Sequence, residues 1–264
     1  MKRLRGIGVQ LVIFFVIAIS IPTFMLAIDV VVTTKSTQRS NMQLTSEQTL
    51  QETKKGFETY LKTLSQPIDL LTRKNEVKHL EDQGTIDDNV KAIQDSLCAS
   101  VKVTSGAKRA FFTTKTGYKI TGWVEPNPAN GKTTNKKTVV TNANDTSKVW
   151  YKNSIGLAAR NNVYAYMSDP YKDSETGDTI FTVSQEIKYT NNENYGVVGM
   201  DIDFSEVTEY VQNIGLLNTG YVLLVDSNGQ VIVDNERNTY CSGSVTSLGF
   251  WDKLNLSLIH ISEP

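Results

Sequence analysis

From Ile7 to Ile28 the chain has twenty-two consecutive residues without a charge, IGVQLVIFFVIAISIPTFMLAI. As a helix this run is about 33 Å long, which matches the hydrocarbon core of a bilayer. A helix apolar on every side must be buried deep in a large core or cross a membrane. Lys2, Arg3 and Arg5 precede the run. The positive-inside rule keeps them in the cytoplasm and sends the chain after Ile28 outside. Lys35 and Arg39 follow the run and make the asymmetry modest. A cleaved signal peptide is the rival reading. The run is long for one, and no small-x-small site follows it. The expectation is an uncleaved anchor, in which Pro22 is tolerable because membrane helices accept proline.

The full chain has 264 residues, enough for one large or two small domains. Its formal net charge of −1 gives no reason to expect a nucleic-acid partner. Cys98 and Cys241 are far apart, with no CxxC or Cys/His spacing that suggests zinc, and both read as small core residues. No P-loop, GxSxG, HExxH or paired-carboxylate motif is present, so neither an enzyme nor a cofactor is expected from the chain in hand. The last nine residues, LSLIHISEP (Leu256–Pro264), resemble one reading frame of a transposase adapter used in preparing DNA for sequencing. They are set aside from fold reasoning. The native chain is expected to differ after about Asn255 and to continue.

Residues 30–78 read as one long helix. Phe57, Leu61, Leu64, Ile68 and Leu71 step by four and three along one face. Pro67 is expected to kink it. Such a stalk suits a dimeric coiled coil near the membrane, or a helix lying along the domain behind it. A second helix is expected from Asp87 to about Ser100, with Val90, Ile93 and Leu97 inward and Asp87 as cap. Then the pattern turns to strands. AFFTT (Ala110–Thr114) and YKITGW (Tyr118–Trp123) flank a turn and read as a hairpin. Glu125–Ser147 reads as a long polar loop. A short helix from Trp150 to about Arg160 is followed by strands at Val163–Met167, Thr179–Tyr189 and Tyr195–Phe204. Ser205 is a candidate cap for one more helix, and Asp203 an alternative one. Gly220–Asp234 repeats the hairpin pattern around Asp226–Gly229, a β-turn rather than a calcium loop. The fold class is α+β.

In order along the chain, KVWY, SDPYKD, TVSQEI, YGVVGMDIDF and TGYVLLVDSNGQVI resemble the double Cache domain of bacterial transmembrane sensors. The resemblance covers roughly residues 30–255. It implies two PAS-like antiparallel-sheet modules behind one long helix. The expected layout is a cytoplasmic start and transmembrane helix at 1–29 and a stalk helix at 30–78. A membrane-distal ligand-binding module would occupy 79–214, and the start of an incomplete membrane-proximal module 215–255. The anchor and the stalk look most like methyl-accepting chemotaxis receptors. That likeness implies a homodimer in the cell membrane, a sensor domain outside the cell and downstream signalling proteins as partners. The same sensor also occurs on histidine kinases and diguanylate cyclases. A non-signalling anchored surface protein is the least favoured alternative.

In the amino-acid-binding subset of that family an Arg stands two before a Trp-Tyr pair, with an Asp on a later strand. Trp150, Tyr151 and Asp201 match, and Tyr171 matches an aromatic position near the same pocket. Lys148 stands where the Arg would be, and Ala143 where the family has a Tyr. Lysine keeps the positive charge but loses the planar fork for a carboxylate. The resemblance therefore implies a ligand site at Lys148, Trp150, Tyr151, Tyr171 and Asp201 for a small carboxylate-bearing molecule. From the residues alone, the aromatic pair reads as a core anchor rather than a pocket.

Overall fold

A computed structural model describes residues 2–78, 86–128, 131–157, 165–188, 193–213, 222–226, 228–234 and 239–247. His79, Arg160 and Leu256–Pro264 lie outside them, as does the side chain of Cys241. The chain divides into two compact units, Met1–Lys55 and Gly56–Pro264.

The described part of the first unit is helix throughout. It belongs to α1 (Lys2–Thr72), whose most apolar stretch reaches a mean hydropathy of 2.7 with none of it buried. Phe14, Phe24 and Leu26 are more than 60% exposed, as lipid-facing side chains are. The hydroxyls of the span are satisfied within the helix. Ser20 Oγ donates to the Val16 carbonyl at 2.6 Å, and Thr23 Oγ1 to the Ile19 carbonyl at 2.9 Å. In hydrocarbon no water is present to do this.

In the second unit α1 runs on through Pro67 without a break to Thr72. Phe57, Leu64, Ile68 and Leu71 are buried, so this part of the helix lies along the domain. Next come α2 (Asn75–Lys78) and α3 (Ile86–Val103), which presents Val90, Ile93 and Leu97 to the same core. Among the described residues ten strands follow: β1 (Ala107–Thr114), β2 (Lys119–Pro126), β3 (Thr133–Val140), β4 (Tyr166–Met167), β5 (Tyr171–Lys172), β6 (Thr179–Lys188), β7 (Asn194–Asp203), β8 (Leu223–Val225), β9 (Gln230–Asp234) and β10 (Thr239–Ser244). Between β3 and β4 stands α4 (Val149–Ser154), and between β7 and β8 stands α5 (Ser205–Gln212).

The larger sheet has the order β3-β2-β1-β7-β6-β4, with β5 also on β6, and every pair is antiparallel. One face packs on α1 and α3 through Ala110, Phe112, Ile120, Val183, Val198, Met200 and Ile202. Helix α3 comes close to β2 at Gly122, where a Cβ would meet Leu97 Cβ at 3.0 Å and Cys98 Sγ at 3.2 Å. Cys98 is buried, and burial pushes its thiol up. Strands β8, β9 and β10 form a second, three-stranded sheet, and Val233 of β9 joins the main core.

Three expectations need correction. The long loop Glu125–Ser147 contains β3, paired with β2 from Lys119↔Val140 to Pro126↔Thr133. Its residues TTNKKTVV are almost all exposed, so no inward alternation marks it as a strand. Helix α4 ends at Ser154, where Ile155 turns extended with ψ 121°. The end of α5 is held by Asp203 rather than by Ser205. The Ser205 N–H donates to Asp203 Oδ1 at 2.9 Å.

Candidate ligand-binding site

Side chains alternate across a strand, so the face of the larger sheet away from α1 and α3 is set by register. Arg109, Phe111 and Thr113 of β1 lie opposite Asp201, Gly199 and Val197 of β7. Beyond β7, Thr182, Ser184 and Glu186 of β6 continue the same rows. Lys119 of β2 stands beside Thr113, and Tyr166 of β4 beside Ser184. The Phe111 ring lies over Gly199, where a Cβ would sit 2.5 Å from it. Only glycine leaves room for that ring.

Helix α4 settles on this face. Trp150 and Tyr151 are 8% and 5% exposed and form a small cluster with Phe111 and Val197. Ring centroids are 4.8 Å apart for Phe111 and Trp150, and 5.9 Å for Trp150 and Tyr151. Two short bonds fix the helix: the Ser154 and Ser184 hydroxyls meet at 2.8 Å, and Ser154 Oγ donates to the Trp150 carbonyl at 2.7 Å. Tyr151 is tied at its hydroxyl end to Asn194 Oδ1 at 3.4 Å, and burial pushes its phenol up to about 12. The aromatic pair therefore anchors α4 while lining the sheet face.

An ionic cluster lies along the same face. The Arg109 guanidinium donates through Nε to Asp201 Oδ2 at 2.7 Å, through Nη2 to Asp173 Oδ1 at 3.0 Å and through Nη1 to Glu175 Oε2 at 2.8 Å. Asp173 and Asp201 are buried, whereas the Glu175 side chain is 77% exposed. Asp201 Oδ1 accepts from Thr182 Oγ1 at 2.8 Å, and that hydroxyl meets the Tyr171 hydroxyl at 2.7 Å. Tyr171 is 38% exposed, but its hydroxyl end points inward, and burial pushes its phenol up to about 12. Burial also raises the Asp201 carboxyl, against the pull of Arg109. Burial acts the same way on Asp173, but there hydrogen bonds from Arg109 and the Glu175 N–H outweigh it and hold the carboxyl down. For Arg109 burial opposes the charge, and the flanking Asp201 and Asp173 more than offset it, so its pKa is raised.

The structure thus brings Trp150, Tyr151, Tyr171 and Asp201 to one sheet face. Lys148 is different. It precedes α4, is exposed, and makes no ion pair among the described residues. Arg109 and Lys119 are cations on the face itself, and sequence reasoning missed both. Lys119 Nζ pairs with the buried Asp145 at 2.7 Å and stands 4.7 Å from the Phe111 ring centroid. A cation running directly into an apolar strand, in KRAFF, was the available signal for Arg109. Its carboxylate partners lie 64 to 92 residues away and come together only through strand pairing. Among the described residues no group of His, Cys, Asp and Glu is arranged to hold a metal ion.

The opposite side of the domain has a groove of about 690 Å³ between α1 and α3, lined by Pro67, Leu70, Leu71, Asp95, Ala99 and Val103. It shares no residue with the polar face.

A profile described as "Cache domain" matches residues 32–252. The chain belongs to the Cache domain family. Its relatives include a probable methyl-accepting chemotaxis protein of Bacillus thuringiensis subsp. konkukian (strain 97-27), 28% identical over 89 residues, covering 34% of this chain and 12% of that protein. Methyl-accepting chemotaxis protein TlpB of Bacillus subtilis (strain 168) is 28% identical over 87 residues, covering 33% of this chain and 12% of TlpB. Each alignment thus spans only about an eighth of the relative's length. The ligand-binding domain of the Campylobacter jejuni chemoreceptor Tlp3, solved in complex with L-valine, has the same fold. It superposes with a TM-score of 0.57 at 16% identity, over 86% of this chain and 78% of that one. The polar face described above therefore belongs to a Cache domain, behind a helix long and apolar enough to cross a membrane.

Proposed function

We propose that this chain is the sensory part of a transmembrane chemoreceptor. Helix α1 anchors it with the N-terminus inside. The larger sheet, in a distal module of residues 79–214, takes a small extracellular metabolite carrying a carboxylate and an amine. Residues 215–255 begin a second, membrane-proximal module. Binding shifts the stalk between two arrangements, in a homodimer that passes the change to downstream signalling proteins. The observation that carries this reading is a Cache match starting at residue 32, directly after the apolar run, in a chain whose relatives are chemotaxis proteins. The L-valine complex of Tlp3 supports the ligand class.

In this reading a zwitterion needs one cation and one anion at the two ends of an otherwise apolar pocket. Lys148 turns inward to meet the carboxylate, with Trp150 as the wall. Tyr151 and Asp201 meet the ammonium group, and Tyr171 closes the side. The test is calorimetry of the full chain in lipid nanodiscs against amino acids, organic acids and amines. Lys148→Ala weakens carboxylate-bearing ligands selectively, while Lys148→Arg binds them equally or more tightly because it restores the fork. Unchanged affinity in Lys148→Ala places the carboxylate elsewhere.

Topology has its own test. With Cys98 and Cys241 replaced by serine, Thr34→Cys reacts with a membrane-impermeant maleimide on whole cells. If labelling requires lysis, the orientation is wrong.

A further inference from the structure

The carboxylate assigned to the ligand's amine is already engaged. Asp201 is 3% exposed, and one of its oxygens is taken by Arg109 Nε at 2.7 Å. An incoming ammonium group competes with that guanidinium, because two cations held against one buried carboxylate repel each other. Arg109 is built to let go. Its other two nitrogens hold Asp173 at 3.0 Å and Glu175 at 2.8 Å, so leaving Asp201 costs one of three charged contacts. The carboxylate keeps its Thr182 hydroxyl at 2.8 Å and stays oriented. The cluster holds one guanidinium against three carboxylates, a formal charge of −2. An added cation therefore improves its charge balance, and an added anion worsens it.

We propose that Arg109 is a placeholder counter-ion for Asp201, which a ligand amine displaces onto Asp173 and Glu175, so that the site selects ligands by their amine. This rests on the reading that Asp201 receives the amine. It makes Arg109 a determinant of affinity that no ligand atom needs to touch. The competing role is different in sign: if Arg109 anchors the ligand's carboxylate, that carboxylate competes with the exposed Glu175 for the guanidinium.

Three probes separate the roles: L-valine, isobutylamine (valine without its carboxylate) and isovalerate (a carboxylate without the amine). The full chain in nanodiscs is titrated with each by calorimetry in about 0.5 M salt, where screening acts within roughly 4 Å. Arg109→Gln binds isobutylamine and L-valine about tenfold more tightly, the worth of one charged hydrogen bond. Lys108→Gln removes an equal charge one residue away, from the pair with Asp178 and Asp203, and leaves both affinities unchanged. Glu175→Gln removes one of the places Arg109 moves to and weakens both amines about two- to fivefold. Glu175 is exposed, so this variant folds even if Arg109→Gln does not.

The proposal is overturned if Arg109→Gln weakens L-valine and isovalerate while Glu175→Gln tightens them, since Arg109 is then the carboxylate anchor. It is overturned too if neither variant changes any affinity, or if Lys108→Gln has the same effect as Arg109→Gln. If L-valine binds wild type and isobutylamine binds no variant, the placeholder idea fails and the sensor reading stands. If none of the three probes binds any of the proteins, the assignment of Asp201 to an amine fails with it.

Discussion

Asp201→Asn is expected to weaken an amine-bearing ligand by about 30-fold or more, the lower end of what removing one partner of a buried charge pair costs. Strand β7 is buried along both faces from Tyr195 to Ile202, so the carboxylate there is not diluted by solvent. Its position is fixed from two sides, by Arg109 and by the Thr182–Tyr171 hydroxyl chain. Asparagine keeps the shape and removes the charge, so the loss reads the ionic contact rather than a cavity. L-valine and isobutylamine should lose affinity together, and isovalerate should not. Equal affinity for L-valine in wild type and Asp201→Asn, measured by calorimetry, contradicts the assigned role.

Ile68→Ala is expected to cost the folded domain about 2–5 kcal/mol, the usual range for emptying a buried aliphatic site. Ile68 is 0% exposed and shares a core with α3 and the larger sheet. Two residues on, Leu70 is 64% exposed, and Leu70→Ala should change stability by no more than about 0.5 kcal/mol. The pair is compared by urea unfolding followed through tryptophan fluorescence. Equal midpoints would mean that this end of α1 does not pack on the sheet. In the proposed signalling this contact matters because α5 follows β7 directly and meets the same helix. Tyr210 stacks on Tyr60 at 4.4 Å between centroids, with 11° between the planes. A shift in β7 at Asp201 has a short mechanical path to α1.

The sequence was most informative where periodicity and burial coincide. Phe57, Leu64, Ile68 and Leu71 repeat at helical spacing because one face is buried. Strand β7 shows as an apolar run, YGVVGM, because both of its faces are covered. The hairpin of β1 and β2 was legible from two short runs around a turn. Strand β3 was not, because an exposed edge strand has no inward face to leave a pattern. The site was half legible. Trp150, Tyr151, Tyr171 and Asp201 were reached through a family resemblance and stand on one face of the sheet. Arg109 and Lys119 were invisible because their role comes from partners distant in the chain, and register decides those partners. Lys148 was picked by its position before the aromatic pair, which says nothing about where its side chain goes.

A crystal structure of the chain with its tightest-binding probe tests the account most directly. Ligand density is expected on the polar face of the larger sheet, against Trp150, with the amine within hydrogen-bond distance of Asp201 and Arg109 drawn off that carboxylate. Density in the groove between α1 and α3, beside Pro67 and Val103, with Arg109 still on Asp201, would contradict it.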